Sequence, residues 1–153
     1  SMLTAKDIMT KDVVTVTLDT SVEKLAGLLV SNQISGAPIV DAGGVLVGIV
    51  TENDLISQNK RLHIPTVVSF LGAAIYLESS KKFADEVRRV TATKVGDICS
   101  KKVITISEET TLADIATIMD EKKVHVLPVV KAGKVVGIVG KRDVVKAVAQ
   151  QAG

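Results

Sequence analysis

The chain writes one pattern twice. Gly36-Ala37-Pro38-Ile39-Val40-Asp41-Ala42-Gly43 has its counterpart in Val126-Leu127-Pro128-Val129-Val130-Lys131-Ala132-Gly133, with Pro38 and Pro128 90 residues apart. Asp7-Ile8-Met9-Thr10 matches Asp97-Ile98-Cys99-Ser100 at the same offset, and beyond the next turn the offset drops to 89, so that Gly48…Asp54 aligns with Gly137…Asp143. The lost residue falls in a turn, which absorbs a deletion where a strand does not. Two units of this size, residues 3–58 and 93–150, bury their apolar faces against each other, and the cleft between them is the natural place for a ligand.

Each unit reads as strand, helix, strand, strand, helix. In the first, Val13–Thr17 is a short β-rich run, and Thr20 with Glu23 three residues on has the spacing of a capping box. Val22, Leu25, Ala26, Leu28 and Leu29 then recur at helical spacing and define one buried face. Ala37–Val40 and Val45–Val50 read as strands around the turn Asp41-Ala42-Gly43-Gly44, where glycine supplies positive φ. Glu52–Ser57 opens a short helix. The second unit repeats the order: strand Val103–Ile106, a cap at Thr111 with Asp114, and a helix with Leu112, Ile115, Ala116 and Met119 inward. Strands Val126–Val130 and Val135–Val139 and helix Arg142–Gln150 complete it. The expected fold class is α+β, with two three-stranded sheets.

Residues 59–92 are of another kind. Val67, Val68, Phe70, Leu71, Ala73, Ala74, Ile75 and Leu77 are apolar on nearly every side of any helix they form, and Phe83, Val87 and Val90 make one stripe of an amphipathic stretch. Two readings stand: an insertion helix buried on the duplicated core, or a subunit interface that makes the protein a homodimer. A dozen apolar residues are too few for a membrane span, and no signal peptide is visible.

Composition narrows the function. Aromatics are 2% of the residues, so the core is built from Val, Ile, Leu and Ala, and no base-stacking platform exists. A net charge of +2 gives no basic footprint for nucleic acid. Cys99 is the single cysteine, which excludes an intrachain disulfide and suits a reducing cytoplasm. His63 and His125 lie in different segments and Cys99 has no His or Cys near it in sequence, so a zinc site lacks ligands. Cys99 itself reads as a small core residue. No serine or cysteine has a base and an orienting acid beside it, and Gly140-Lys141 lacks the rest of a phosphate-loop motif. An enzyme is not expected.

The segment that carries chemistry is Gly48-Ile49-Val50-Thr51-Glu52-Asn53-Asp54. A strand ends, a hydroxyl follows, and a carboxylate stands three positions on, where a helix begins. Helix-terminal N–H groups favour an anion such as phosphate, and a carboxylate there can accept two hydrogen bonds from a sugar diol. The alternative is that Thr51 or Asp54 only caps the helix. In the copy, Gly137-Ile138-Val139-Gly140-Lys141-Arg142-Asp143, the Asp is kept while the Thr has become Gly140, which argues against capping as the whole explanation. Lys141 and Arg142 stand where Glu52 and Asn53 stood, a basic pair that favours polyphosphate.

These repeated hydrophobic-Thr, hydrophobic-Pro and Gly-h-h-Thr/Ser-x-x-Asp pieces resemble a tandem pair of cystathionine-β-synthase (CBS) domains, of the stand-alone bacterial or archaeal type. The resemblance implies two motifs, 3–58 and 93–150, forming a pseudo-twofold Bateman-type module, with 59–92 as a helical insertion outside them. It implies two clefts for adenosyl ligands: AMP, ADP, ATP or S-adenosylmethionine. By likeness, Val14-Thr15 and Ala37-Pro38 surround adenine in the first, Asp54 holds the ribose and Thr51 a phosphate. Ile104-Thr105, Leu127-Pro128 and Asp143 do the same in the second. There Gly140 departs from the family's Thr/Ser, and His125, Lys141 and Arg142 are candidates to replace the hydroxyl. The expected function is regulatory: an adenosyl-nucleotide sensor acting in trans on a protein effector that the sequence does not name. The rival is an interaction protein that assembles through residues 66–90, its clefts incidental.

Overall fold

The computed structural model describes residues 2–62 and 93–152. The apolar stretch of the insertion, the interface expected at 66–90 and His63 lie outside the described residues. Ten elements follow in order: α1 (Ala5–Ile8), α2 (Val22–Ser31), β1 (Gly36–Val40), β2 (Leu46–Thr51), α3 (Glu52–Leu62), α4 (Val95–Ile98), α5 (Leu112–Lys122), β3 (Val126–Lys131), β4 (Lys134–Gly140) and α6 (Lys141–Ala152). The architecture is α+β, as expected, and α3 runs to Leu62, past the boundary read at residue 58.

Each unit is built on an antiparallel hairpin, β1–β2 and β3–β4, with β1 and β3 buried along four consecutive residues. The first turn is held by Asp41, whose Oδ1 accepts from the N–H groups of Gly43 and Val45, while Gly44 sits at φ +83. The second is the tighter two-residue form, with positive φ at both Ala132 and Gly133. That difference is the deletion seen in the sequence.

The third strand of each sheet is not formed. Val16 makes a single parallel bridge to Ile39, giving its N–H to Pro38 and accepting from Val40, and Ile106 does the same with Val129. Flanking turns prevent more. On one side the Val13 N–H turns back onto the Lys11 carbonyl, and on the other the Thr17 N–H goes to Thr20 Oγ1. That use of Thr20 also corrects the first cap. The N-cap of α2 is Ser21, whose hydroxyl accepts from the Lys24 N–H at 3.0 Å, and the equivalent Thr111 caps α5 as expected. On α5, Leu112 and Ile115 are buried, but Ala116 is exposed, contrary to expectation.

The least expected feature is an exchange. The arm that opens each unit docks on the other. Ala5 and Lys6 donate to the carbonyls of Thr110 and Glu108, and Leu112 donates to Leu3. The pseudo-symmetric set is Val95 to Thr20, Gly96 to Leu18 and Val22 to Thr93. Thr10 and Ile138 trade both backbone bonds, as do Ser100 and Ile49, so each arm closes the free edge of the other unit's hairpin. The two cores follow suit. One joins Val16, Leu25, Ile39 and Val50 to Val95 and Ile98; the other joins Ile106, Ile115, Leu127 and Val139 to Ala5. The short helices α1 and α4 within these arms were not anticipated, although Thr4…Asp7 carries the three-residue cap spacing.

The glycine of each Gly-h-h segment serves this docking. A Cβ on Gly48 would stand 3.0 Å from the Ser100 carbonyl oxygen and 3.7 Å from Cys99 Sγ, and one on Gly137 would run into the Met9 side chain. Cys99 lies half-buried against the first core, where burial pushes its thiol pKa up against the opposing pull of Lys101.

Candidate functional site: two equivalent mouths

Register brings the expected residues of each unit together. Gly36 pairs with Thr51 and Ala37 with Val50, while the parallel bridge at Val16 sets the Val14-Thr15 segment beside the start of β1. All of them meet where β2 passes into α3. The link is short: the Glu52 N–H donates to the Ser35 carbonyl at 2.8 Å, so the helix starts on the shoulder of β1. In the second unit Val126 pairs with Gly140, Leu127 with Val139, and the Lys141 N–H donates to the His125 carbonyl at 2.9 Å.

Within each mouth the residues differ in what they offer. Ala37 and Leu127 are fully buried in the two cores, so their side chains serve packing and only their backbone is at hand for a ligand. Pro38 and Pro128 are also fully buried. Val14, Ile104, Thr51, Asp54 and Asp143 are half-buried, and Thr15, Thr105, His125, Lys141 and Arg142 are exposed.

Asp54 Oδ2 accepts from the Thr51 N–H at 2.8 Å and stands 3.3 Å from the Thr51 hydroxyl. Asp143 Oδ2 accepts from the Gly140 N–H at 2.8 Å. Both carboxylates therefore cap their helices, and the donor is main chain. Contrary to the expectation from sequence, the Thr→Gly change does not speak against capping, because glycine carries the same N–H. The same bond recurs at Thr4–Asp7 and Lys94–Asp97, where α1 and α4 begin. A carboxylate has about four lone-pair sites, however, so one cap bond leaves capacity for a diol. A negative charge in the first turn also suits the helix dipole.

A family model described as CBS domain matches residues 5–60 and 95–150. The chain belongs to the CBS domain family. It is 32% identical over 153 residues to an uncharacterised Methanocaldococcus jannaschii protein, MJ1426, covering 93% of this chain and 89% of that one. It spans 64% of the Arabidopsis thaliana chloroplast protein CBSX1, also at 32% identity. Among solved structures, CBSX2 in complex with AMP superposes with a TM-score of 0.74 at 28% identity, covering 99% of both chains. The CBS domain pair of protein MJ0100, in complex with 5′-methylthioadenosine and S-adenosyl-L-methionine, superposes at 0.70 with 25% identity, covering 95% of this chain and 98% of that one. The duplicated unit is thus a CBS motif and the fold a CBS pair.

Proposed function

We propose that this CBS pair is a regulatory module that binds adenosyl ligands (AMP, ADP, ATP or S-adenosylmethionine) at its two mouths and passes the signal to a protein effector in trans. The observation that carries the reading is the doubled strand-to-helix mouth, in which Thr51 with Asp54 and Gly140 with Asp143 repeat one geometry beside the Val14-Thr15 and Ile104-Thr105 segments. Two solved relatives of the same fold hold AMP, or S-adenosylmethionine with methylthioadenosine. The adenine fits between aliphatic walls and is read by main-chain groups, Asp54 and Asp143 hold ribose, and Thr51 meets a phosphate. The role is non-catalytic, in keeping with relatives named only for their CBS domains. Among the described residues no helix is long and apolar enough to cross a membrane, and the lone Cys99 suits a cytoplasmic setting. Isothermal titration of the full chain with AMP, ATP and S-adenosylmethionine tests this. Heat from at least one is expected; silence from all three at millimolar concentration rejects it.

The exposed apolar residues Ile56 and Val145 support a homodimer through the helical faces. They occupy equivalent positions on α3 and α6 and are 56% and 67% exposed. Val148, one turn on from Val145, lines an apolar cavity of about 310 Å³ between α5, α6 and the first arm.

A further inference from the structure

The two mouths superpose in backbone but not in charge. Position by position, Ser35 is replaced by His125, Thr51 by Gly140, Glu52 by Lys141 and Asn53 by Arg142, while the Asp is kept. With histidine neutral, these five positions carry −2 in the first unit and +1 in the second. The surroundings lean the same way. Residues 12–62 with 93–101, which pack as one unit, hold five basic and seven acidic residues; residues 2–11 with 102–152 hold ten basic and seven acidic. The formal charges are −2 and +3. A duplicated scaffold with unlike signs at matching points is poorly suited to taking the same ligand twice.

At one position the second mouth also has less side chain in the way. A Cβ at Gly140 would find nothing nearer than Asp143 Oδ2 at 3.7 Å and the His125 carbonyl at 3.8 Å, so the site that Thr51 fills in the first unit is empty space in the second. Glycine there lets a ligand approach the backbone closely. Lys141 and Arg142 are exposed on the first turn of a 12-residue helix, whose leading N–H groups lack intrahelical partners. A chain of two or three phosphates leaving a ribose at Asp143 would meet two cations, an imidazole and the positive helix end. The same chain leaving Asp54 would meet Glu52.

We infer that the clefts are chemically unequal: the second takes a nucleoside polyphosphate, and the first an adenosyl compound with little negative charge. The inference rests on the adenosyl reading above and adds which mouth takes which ligand. Titration of full-length variants with adenosine, AMP and ATP tests it. In Asp54→Ala, which leaves the second mouth intact, ATP is expected to bind at least about tenfold tighter than adenosine, the scale of one charge-assisted contact. In Asp143→Ala, ATP gains nothing over adenosine. Lys141→Ala/Arg142→Ala in the wild-type background weakens ATP by about tenfold or more and adenosine less than about twofold. That variant alters only exposed side chains, so it serves even where loss of a cap unfolds Asp143→Ala. The same ATP preference at both mouths, or equal weakening of ATP and adenosine, overturns the inference while leaving nucleotide binding in place. Absence of binding by all three probes in the wild type overturns this inference, and silence from S-adenosylmethionine as well overturns the adenosyl reading itself.

Discussion

Val95 belongs by sequence to the second unit, yet it is fully buried in the core of the first, beside Leu25, Ile39 and Val50. Val95→Ala removes two methyl groups from a site with no solvent access. At roughly 1 kcal/mol for each buried methyl, including the void left behind, the cost is about 2 kcal/mol. With a urea slope of about 2 kcal/mol per molar, the unfolding midpoint falls by about 1 M. Val145→Ala, on the exposed face of α6, is the control and stays within about 0.5 kcal/mol. Hydrogen exchange gives the sharper readout. The variant should lose protection first in β1 and β2, 44 or more positions away in sequence, because those strands pack on the missing methyls. A midpoint change under about 0.3 M, or lost protection confined to residues 103–152, would refute the arm exchange and the interlocked cores built on it.

Other outcomes follow from particular contacts. Asp54→Ala should weaken adenosyl binding at the first mouth by about 1.5–3 kcal/mol, the worth of a hydrogen bond to a charged group, and lower stability by about 1 kcal/mol through the lost cap; calorimetry and urea melts separate the two. Gly48→Ala should cost about 1–3 kcal/mol in a urea melt, since its Cβ would press on the Ser100 carbonyl, which is main chain and cannot swing aside. The raised pKa of Cys99 means that the folded chain holds this proton longer than the unfolded one. The associated stability is present below the unfolded pKa and is lost as pH rises through the folded one, on the alkaline side of about pH 8.5; Cys99→Ser should flatten urea midpoints measured across that range. Val145→Glu with Val148→Glu should convert any self-associated form to monomer in light scattering while leaving the melt unchanged within about 0.5 kcal/mol.

What the sequence showed was what repeats locally. Hairpins, turns and the large helices follow from periodicity and glycine placement, and each copy checked the other. The cap at Ser21 shows the limit of this: Thr20 has the right chemistry one residue early, and only the bond from Thr17 shows that it is committed to a turn. The arm exchange was not legible at all. A pattern such as Lys94-Val95-Gly96-Asp97 states that a residue is buried, and nothing in it states which copy buries it. The residues of each mouth were legible as a group because β-pairing at Gly36–Thr51 and Val126–Gly140 follows from the hairpin register. Their division of labour was not. That Ala37 and Leu127 are spent on the core, and that Asp54 and Asp143 bond to main chain, depends on side-chain direction that no spacing reveals.

The crossed arms bear on what half of this molecule would do alone. A protein ending near residue 58 keeps its hairpin and helices but has no guest strand for the vacant hairpin edge, and its own leading peptide has nowhere to dock. Two such halves restore every missing bond by lending their leading peptides to each other, which is reciprocal swapping with twofold symmetry. The duplicated chain performs internally what a symmetric pair of half-length chains would perform between molecules.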